Sequence, residues 1–460
     1  MTDWRTQRIL VIGAGRQGTA LASYFIKQGA EVTITDLRQK EDLPANAKTL
    51  AGLPILWVLG EHPLSLLDGV DMVCVSGGVP LTIPLLAEAR KRGIPWTNDS
   101  QLFLEIAPCP VIGITGSAGK TTTTTLVGKM AAIESEDNQT FRKVWVGGNL
   151  GNPLLDDVDK MDKQDLAVME LSSFQLEIMT LAPHVAAVLN ITPNHLDRHK
   201  TMEAYIEAKT NIIRNQRCND IAVLNRDEPV SWGLQEQARG YIVSFGKNKP
   251  EQGYSGSYIR DGRIVIAESG KDSDICGLAD IKLRGAHNVM NVLAACAIAY
   301  SAGISFESMK KAVSSFRGVA HRLEFVRSWG GADWYNDSIA TAPERAMAAM
   351  RSFDNPIVLL AGGRDKDLPW DEFAKLAAKR VRMLVLFGEA ADIIEKAVSP
   401  YMGADRMIHC AKMADAVSEA AKIIEPGDVV LLSPGGTSFD EFRDFEERGI
   451  AFRKLVRKLP

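Results

Sequence analysis

The chain is short of long apolar runs. No stretch of its 460 residues approaches the roughly 18 uninterrupted apolar positions of a membrane-spanning helix, so no such span is expected. Its cysteines are few and scattered: Cys74, Cys109, Cys218, Cys276, Cys296 and Cys410, with no CxxC spacing. Neither a zinc site nor a disulfide framework is expected from that pattern. Neither sign of charge dominates. Lysine and arginine number 53 against 57 aspartate and glutamate, a net of −4, which offers a polyanion no global field. Nucleic-acid and membrane partners are therefore not expected. Repeats of fixed period and low-complexity tracts are also missing. The polar residues 1–8 lead straight into Ile9-Leu10-Val11-Ile12-Gly13, without the charged, apolar and small-residue succession of a secretory signal. The expectation is a cytoplasmic chain with reduced thiols.

What is present is an ordinary globular composition, 46% hydrophobic and 24% charged, at a length that calls for two or three domains. Short apolar runs alternate with amphipathic helical patterns nearly throughout, which signals α/β folding on mostly parallel sheets. Strands are expected at 8–12, 31–35 and 71–75, with helices over 19–28 and 84–92. Pro108-Cys109-Pro110 punctuates the chain before an expected strand at 111–115. Further strands are expected at 166–170, 186–190 and 221–224. The Gly-, Ser- and Lys-rich stretch 246–271 reads as hairpins or loops decorating the sheet. After a helix over 287–301, Phe316-Arg317-Gly318 precedes strands at 334–336, 357–361, 383–387 and 429–433. Three α/β domains follow: a Rossmann-like domain over 1–107, a P-loop ATPase-type domain over 108–317, and a second Rossmann-like domain over 318–460.

Two glycine turns carry the chemistry. Gly13-Ala14-Gly15-Arg16-Gln17-Gly18 follows a strand and opens a helix, and Asp36 ends the next strand. Such glycines let a backbone approach a diphosphate whose charge the helix N-terminus stabilises. The motif does not say whether the diphosphate belongs to NAD, FAD or a UDP-sugar. The second turn, Gly116-Ser117-Ala118-Gly119-Lys120-Thr121-Thr122, also links a strand to a helix. Loop amides there cradle phosphates, Lys120 reaches the outer phosphate oxygens, and the Thr121 hydroxyl can ligate Mg²⁺. Ile114 stands where the strict GxxxxGK[ST] spacing has its first glycine. An ATP or GTP site is nonetheless expected.

Glu170 closes one expected strand, and His195 follows another. Ligands of open α/β sheets collect at strand carboxyl ends, so both should face the phosphates. Magnesium bound with nucleotide phosphates takes one or two protein oxygens, which suits Glu170; a histidine ligand is unusual. Taken alone, each residue has a plain structural explanation. Together, beside one phosphate loop, they read as a site.

With these residues in view, the chain resembles the Mur ligase superfamily, ATP-dependent amide-forming enzymes of peptidoglycan synthesis. The resemblance runs through GAGRQG, TGSAGKTT, GGNLGNP, ELSSFQLE, LNITPNHLDR, HNVMN, HRLE, NDS, AGGRDK and LSPGGTSFDEF, in order along nearly the whole chain. The first glycine turn and ELSSFQLE favour the branch that adds D-glutamate to UDP-N-acetylmuramoyl-L-alanine. The resemblance implies an N-terminal domain for the UDP moiety, a central ATPase domain and a C-terminal domain that closes over the acceptor. It implies phosphorylation of the substrate carboxylate to an acyl phosphate, which the amine of glutamate then attacks.

By the same resemblance Lys120, Glu170, His195 and Lys209 are catalytic, and Thr121, Glu170, His195 and Lys209 hold two Mg²⁺ ions, Lys209 as a carbamate. Gly116 to Thr122 bind ATP with Asn291, Arg322 and Asp337. Gly15, Arg16, Gln17, Asp36, Arg38, Asn149, Ser172 and His195 bind the UDP substrate, and Thr341, Lys366, Ser438 and Phe445 bind the acceptor. A monomer acting on small molecules is implied. The pattern breaks at Ile339, where the family places a lysine, and Asn194 replaces an acid common before the metal-binding histidine. Arg345 and Arg364 are the nearby cations able to hold a carboxylate in place of that lysine. The break leaves L-glutamate or another amino acid open as acceptor. A nicotinamide oxidoreductase would explain the first glycine turn but not Lys120 or the Glu170/His195 pair. An idle nucleotide-binding regulator would leave Lys120, Thr121, Glu170, His195 and Lys209 without a purpose.

Overall fold

Valine, isoleucine and leucine runs bounded by glycine and proline become buried parallel strands, because crossover helices cover both faces of such sheets. The computed structural model describes residues 3–283 and 285–460, and the described residues form three sheets. The first holds β1 (Arg8–Ile12), β2 (Glu31–Asp36), β3 (Ile55–Leu59), β4 (Met72–Val75) and β5 (Trp96–Thr97) in the order 3-2-1-4-5, all parallel. Chain order reverses between β1 and β4. The crevice at such a switch point is where ligands of open α/β sheets bind.

The second sheet contains β6 (Val111–Thr115), β7 (Val144–Gly148), β8 (Leu166–Glu170), β9 (Val185–Val188), β10 (Ile221–Asn225), β11 (Tyr241–Phe245), β12 (Ser255–Arg260), β13 (Arg263–Glu268) and β14 (Lys271–Gly277). Their order is 14-13-12-11-10-9-6-8-7. β6 thus lies between β8 and β9, and all three strands end at the same edge. The stretch expected to decorate the sheet instead extends it, with β12, β13 and β14 as an antiparallel meander.

The third sheet comprises β15 (Glu324–Trp329), β16 (Ala332–Asn336), β17 (Ile357–Gly362), β18 (Val381–Phe387), β19 (Met407–Cys410) and β20 (Val429–Gly435), in the order 15-16-20-17-18-19. Only β15 pairs antiparallel there. Strands β6, β8, β9, β17 and β20 are buried along their whole length, which accounts for their mostly apolar sequences. Two compact units result. One spans 1–281 with 286–315 and carries the first two sheets; the other spans 282–285 with 316–460 and carries the third. No helix among the described residues is long and apolar enough to cross a membrane.

Candidate active site

Two strand-end turns meet at the switch point of the first sheet. Gly13 takes φ +91°, and a Cβ on Gly18 would fall 1.8 Å from the Gly13 carbonyl oxygen, so the turn into the helix Arg16–Lys27 requires both glycines. Asp36 braces this turn. Its Oδ2 accepts from the Ala14 N–H at 2.7 Å and from Arg38 Nη2 at 2.7 Å, and its Oδ1 accepts from Arg38 N and Nε, both at 2.9 Å. Burial opposes the charged form, but the Arg38 and backbone hydrogen bonds outweigh it and hold the carboxyl at about 2. An acid that recognises a nicotinamide ribose needs free oxygens; here both are engaged within the turn. Gln17 Oε1 accepts from the Gly77 N–H at 2.8 Å, and Arg16 Nη1 donates to the Gly151 carbonyl at 2.6 Å. A cavity of about 130 Å³ opens beside them, lined by Arg16, Gln17, Ser76, Gly148, Asn149 and Pro153. Ser76 and Gly77 were not expected from sequence; their place just after β4 at the switch point is the signal that marks them.

The second glycine turn follows β6. Gly119 adopts φ +84°, and a Cβ there would sit 2.2 Å from Asn291 Oδ1, so the left-handed turn and the close approach of Asn291 both exclude a side chain. Asn190, just past β9, clamps the loop. Its Oδ1 accepts from the Ala118 N–H at 2.9 Å, its Nδ2 donates to the Ala118 carbonyl at 3.0 Å, and its carbonyl accepts from the Ser117 N–H at 2.9 Å. Ser117 Oγ donates to the Thr192 carbonyl at 2.9 Å and lies 3.0 Å from the Tyr205 hydroxyl. The Ser117 and Ala118 amides therefore fix the loop's shape. The N–H groups of Lys120, Thr121 and Thr122 open the helix Lys120–Asn138 ahead of the first helical bond, from Thr123 N–H to the Gly119 carbonyl, and a helix start of this kind is where an anion can be held. Lys120 Nζ folds back onto the Gly116 carbonyl at 2.7 Å.

Glu170 ends β8 beside this loop and is only 3% exposed. Asn149 donates from Nδ2 to Glu170 Oε1 at 2.9 Å and from its backbone N–H to the Glu170 carbonyl at 2.9 Å. Glu170 Oε2 is buried and has no hydrogen-bond partner among the described residues. A buried carboxylate oxygen in that state calls for a cation. Lys209 lies on the buried side of the helix Met202–Arg214, 1% exposed, and donates from Nζ to Gly116 O at 3.0 Å and Thr115 Oγ1 at 3.2 Å. Burial and the nearby Lys120 charge push its amine well below the usual lysine range, against the pull of Glu170. The donor set of Glu170 Oε2, the hydroxyl of Thr121 and the phosphate loop suits Mg²⁺, a hard cation that prefers oxygen.

His195 follows β9 with φ +55°, exposed, its ring edge-on to Phe174 at 5.1 Å. Phe174 also stacks on His199 at 5.2 Å and lies under the Arg198 guanidinium at 4.0 Å. His199, buried, meets Ser173 Oγ through Nε2 at 2.9 Å. This aromatic packing ties the residues after β8 to those after β9. Ser172 caps the short helix Ser173–Leu176 in a reciprocal box with Gln175.

In the second unit, the loops after β16, β17 and β20 leave neighbouring strand ends. Arg448 was not expected from sequence. Fully buried, it donates to Ser338 Oγ and O and to the Gly436 and Thr437 carbonyls at 2.9–3.1 Å, fastening two of these loops together. The Arg364 and Thr437 backbones exchange hydrogen bonds at 2.8 and 2.9 Å, which ties in the third. Asp337 is buried, accepting from the Leu323 N–H and Ser433 Oγ, and burial lifts its carboxyl to about 7. Arg322 is exposed in the same unit. Lys366 Nζ lies 3.4 Å from Thr341 Oγ1, Ser438 is buried, and the Phe445 carbonyl accepts from Ser338 Oγ. Arg364 pairs with Glu389 through two bonds at 2.7 and 3.0 Å.

Comparison with known proteins names the family. Residues 7–98 match the Mur ligase MurD-like N-terminal domain, 114–299 the Mur ligase middle domain, and 321–436 the glutamate ligase domain of Mur ligases. The UDP-N-acetylmuramoylalanine–D-glutamate ligase of Symbiobacterium thermophilum is 42% identical over 98% of both chains. The chain belongs to the Mur ligase family. The protein of the same name from Ruminiclostridium cellulolyticum is 38% identical to this Mur ligase over 99% of its chain and 98% of its own. Among solved structures, UDP-N-acetylmuramate-alanine ligase MurC from Thermotoga maritima shares the three-domain fold, with TM-score 0.56 at 18% identity over 98% of this Mur ligase and 99% of that chain. Mur ligases are ATP-dependent, and this chain is accordingly an ADP-forming ligase.

Proposed function

We propose that this Mur ligase joins D-glutamate to UDP-N-acetylmuramoyl-L-alanine, forming ADP and phosphate, in the cytoplasm and as a monomer. The observation that carries the reading is the buried, partnerless Glu170 Oε2 beside the phosphate loop and Lys209. The D-glutamate ligases 36–42% identical over nearly the whole chain support the choice of substrates. We assign the UDP-substrate domain to 1–107, the ATP domain to 108–317 and the acceptor domain to 318–460.

In this reading the substrate's nucleotide diphosphate lies at the first glycine turn, against Gly15, Arg16 and Gln17, with Arg38, Asn149, Ser172 and His195 around the rest of the substrate. Gly116 to Gly119 shape the loop from which the helix amides beginning at Lys120, with Thr121 and Thr122, hold the ATP phosphates; Asn291 serves the nucleoside side, and Arg322 and Asp337 are the second unit's own residues for nucleotide binding. Thr121, Glu170, His195 and a carbamate on Lys209 would hold two Mg²⁺ ions, which would supply positive charge beside the phosphates. A buried lysine kept neutral is the form that adds to CO₂: its nitrogen bonds to the carbon and releases one proton. The L-alanine carboxylate oxygen attacks the γ-phosphorus and ADP leaves. Lys120 offsets the charge that spreads over the transferring phosphoryl group. The glutamate amine, oriented by Thr341, Lys366, Ser438 and Phe445, attacks the acyl carbon; phosphate departs and the amine's proton is released.

Phosphate release with ATP, Mg²⁺ and UDP-N-acetylmuramoyl-L-alanine tests this directly. Release that depends on D-glutamate is expected. Release only with L-glutamate or another amine would overturn the acceptor assignment, and none with any amine would overturn the ligase reading.

A further inference from the structure

Two cations lie near each other in the second unit, and the acid that feels the Arg345 charge, Asp337, is buried with both oxygens already engaged. Lys366 follows β17, and its Nζ approaches Thr341 Oγ1 on the loop that follows β16. Arg345 lies four residues beyond Thr341, in the first turn of the helix Pro343–Met350, and is exposed. The Ala340 carbonyl accepts from the Gly435 N–H at 2.8 Å, so the segment leading to Arg345 is pinned to the end of β20, the strand between β16 and β17. Neither cation is paired with a carboxylate among the described residues. The Asp337 oxygens are engaged by Leu323 and Ser433, and the Asp365 oxygens by Trp370 and the Asp367 amide. Arg345 and Lys366 sense each other: together with burial, the Arg345 charge lowers the Lys366 amine from its ordinary value. Like charges held in reach of one another at strand carboxyl ends make an anion site.

We propose that Arg345 is the specificity-determining cation of the acceptor site, holding one carboxylate of glutamate together with Lys366 and Thr341. Resting on the ligase reading above, this assigns to Arg345 the charge that Ile339 cannot supply. Arg364 is not that cation, because its guanidinium is already bidentate to Glu389.

Steady-state kinetics on the full chain test the assignment, with Arg345→Ala, Arg345→Lys and Arg364→Ala beside the wild type. A lost charge-assisted hydrogen bond to carboxylate should raise the KM for D-glutamate about tenfold or more in Arg345→Ala. The KM values for ATP and UDP-N-acetylmuramoyl-L-alanine should stay within about twofold, and Arg345→Lys should recover part of the loss. D-glutamine and D-isoglutamine, each lacking one carboxylate, identify the carboxylate that is held: its amide should react equally poorly with wild type and Arg345→Ala. An unchanged KM for D-glutamate, an equal rise for ATP, or a larger effect from Arg364→Ala would overturn the proposal. A wild-type enzyme that releases no phosphate with D-glutamate would overturn the ligase reading, and this assignment with it.

Discussion

Asn149 points its side-chain amide at Glu170 Oε1, 2.9 Å away, and leaves Glu170 Oε2 as the oxygen without a partner. In the proposed site this bond would select which oxygen faces the cation, as outer partners of metal ligands commonly do. Asn149→Ala should weaken Mg²⁺ activation about 10- to 100-fold, the usual cost of losing such a partner. Activity measured against Mg²⁺ concentration checks this. A changed KM for the UDP substrate with an unshifted Mg²⁺ curve would mean that Asn149 serves the substrate alone and does not position Glu170.

Asn190 has a comparable role toward the phosphate loop. Both its side-chain atoms bond Ala118, and its carbonyl takes the Ser117 amide. Asn190→Ala removes the two side-chain bonds at about 1 kcal/mol each, so the KM for ATP should rise about tenfold or more while UDP-substrate binding stays intact. Calorimetric titration with each nucleotide separates the two effects. Equal losses for both would mean that the central sheet had come apart.

Backbone-defined features of this chain were readable because glycine and proline placements have geometric consequences that do not depend on distant residues. Gly13, Gly18 and Gly119 occupy turns that exclude a Cβ, and a strand-to-helix context identified both turns. Side-chain partners are another matter, since they are set by which strand ends lie together. The bond from the Asn149 amide to Glu170 was not foreseen, because it depends on the β7–β8 pairing that brings the two residues together. Arg448 went unnoticed although Gly449, Phe452 and Val456 share the buried face of its helix, a periodicity that puts an arginine on an apolar side. The edge strands β3 and β19 were passed over because sheet edges are half-exposed and short. Of the hairpins or loops expected over residues 246–271, the hairpins are what form: β12, β13 and β14 pair antiparallel and continue the sheet, which the serines, glycines and charges of that stretch did not announce.

Asp36 makes acid stability a test of the first turn. Its carboxyl sits at about 2 in the fold against 3.8 as a free side chain. A depressed folded value stabilises the protein above the free value and loses that contribution as pH falls through the folded value. Asp36→Asn should therefore cost about 1–2 kcal/mol at pH 7, after allowance for the half-exposed Arg38, and the difference from wild type should close between about pH 4 and 2. Urea unfolding across that range provides the measurement. A gap that persists unchanged at pH 2 would show that the shape of the side chain, and not its charge, holds the turn.

Lys120→Ala should abolish turnover and leave UDP-substrate affinity within about twofold, because the two glycine turns follow strands of different sheets. Isothermal titration of the variant with UDP-N-acetylmuramoyl-L-alanine is the check. Collapse of that affinity would mean that Lys120 supports the substrate site as well as the phosphates.

Lys209 closes the set. An amine 1% exposed, in bonding range of Gly116 and Thr115 and depressed by burial and Lys120, is poorly placed to serve as a cation. As a carbamate it would offer oxygen ligands of opposite charge on the Glu170 side of the loop, the chemistry that the proposed Mg²⁺ site calls for. Lys209→Ala should lose about 100-fold or more in kcat, consistent with loss of a group acting on transferring phosphate. Formate or acetate should restore part of it by supplying the missing carboxylate. Wild-type protein equilibrated with ¹³C-labelled CO₂ should show a carbamate carbon signal that Lys209→Ala lacks. A wild-type spectrum identical to the variant's would leave Lys209 as an uncharged brace on the Gly116 carbonyl, and carboxylate rescue should then fail too.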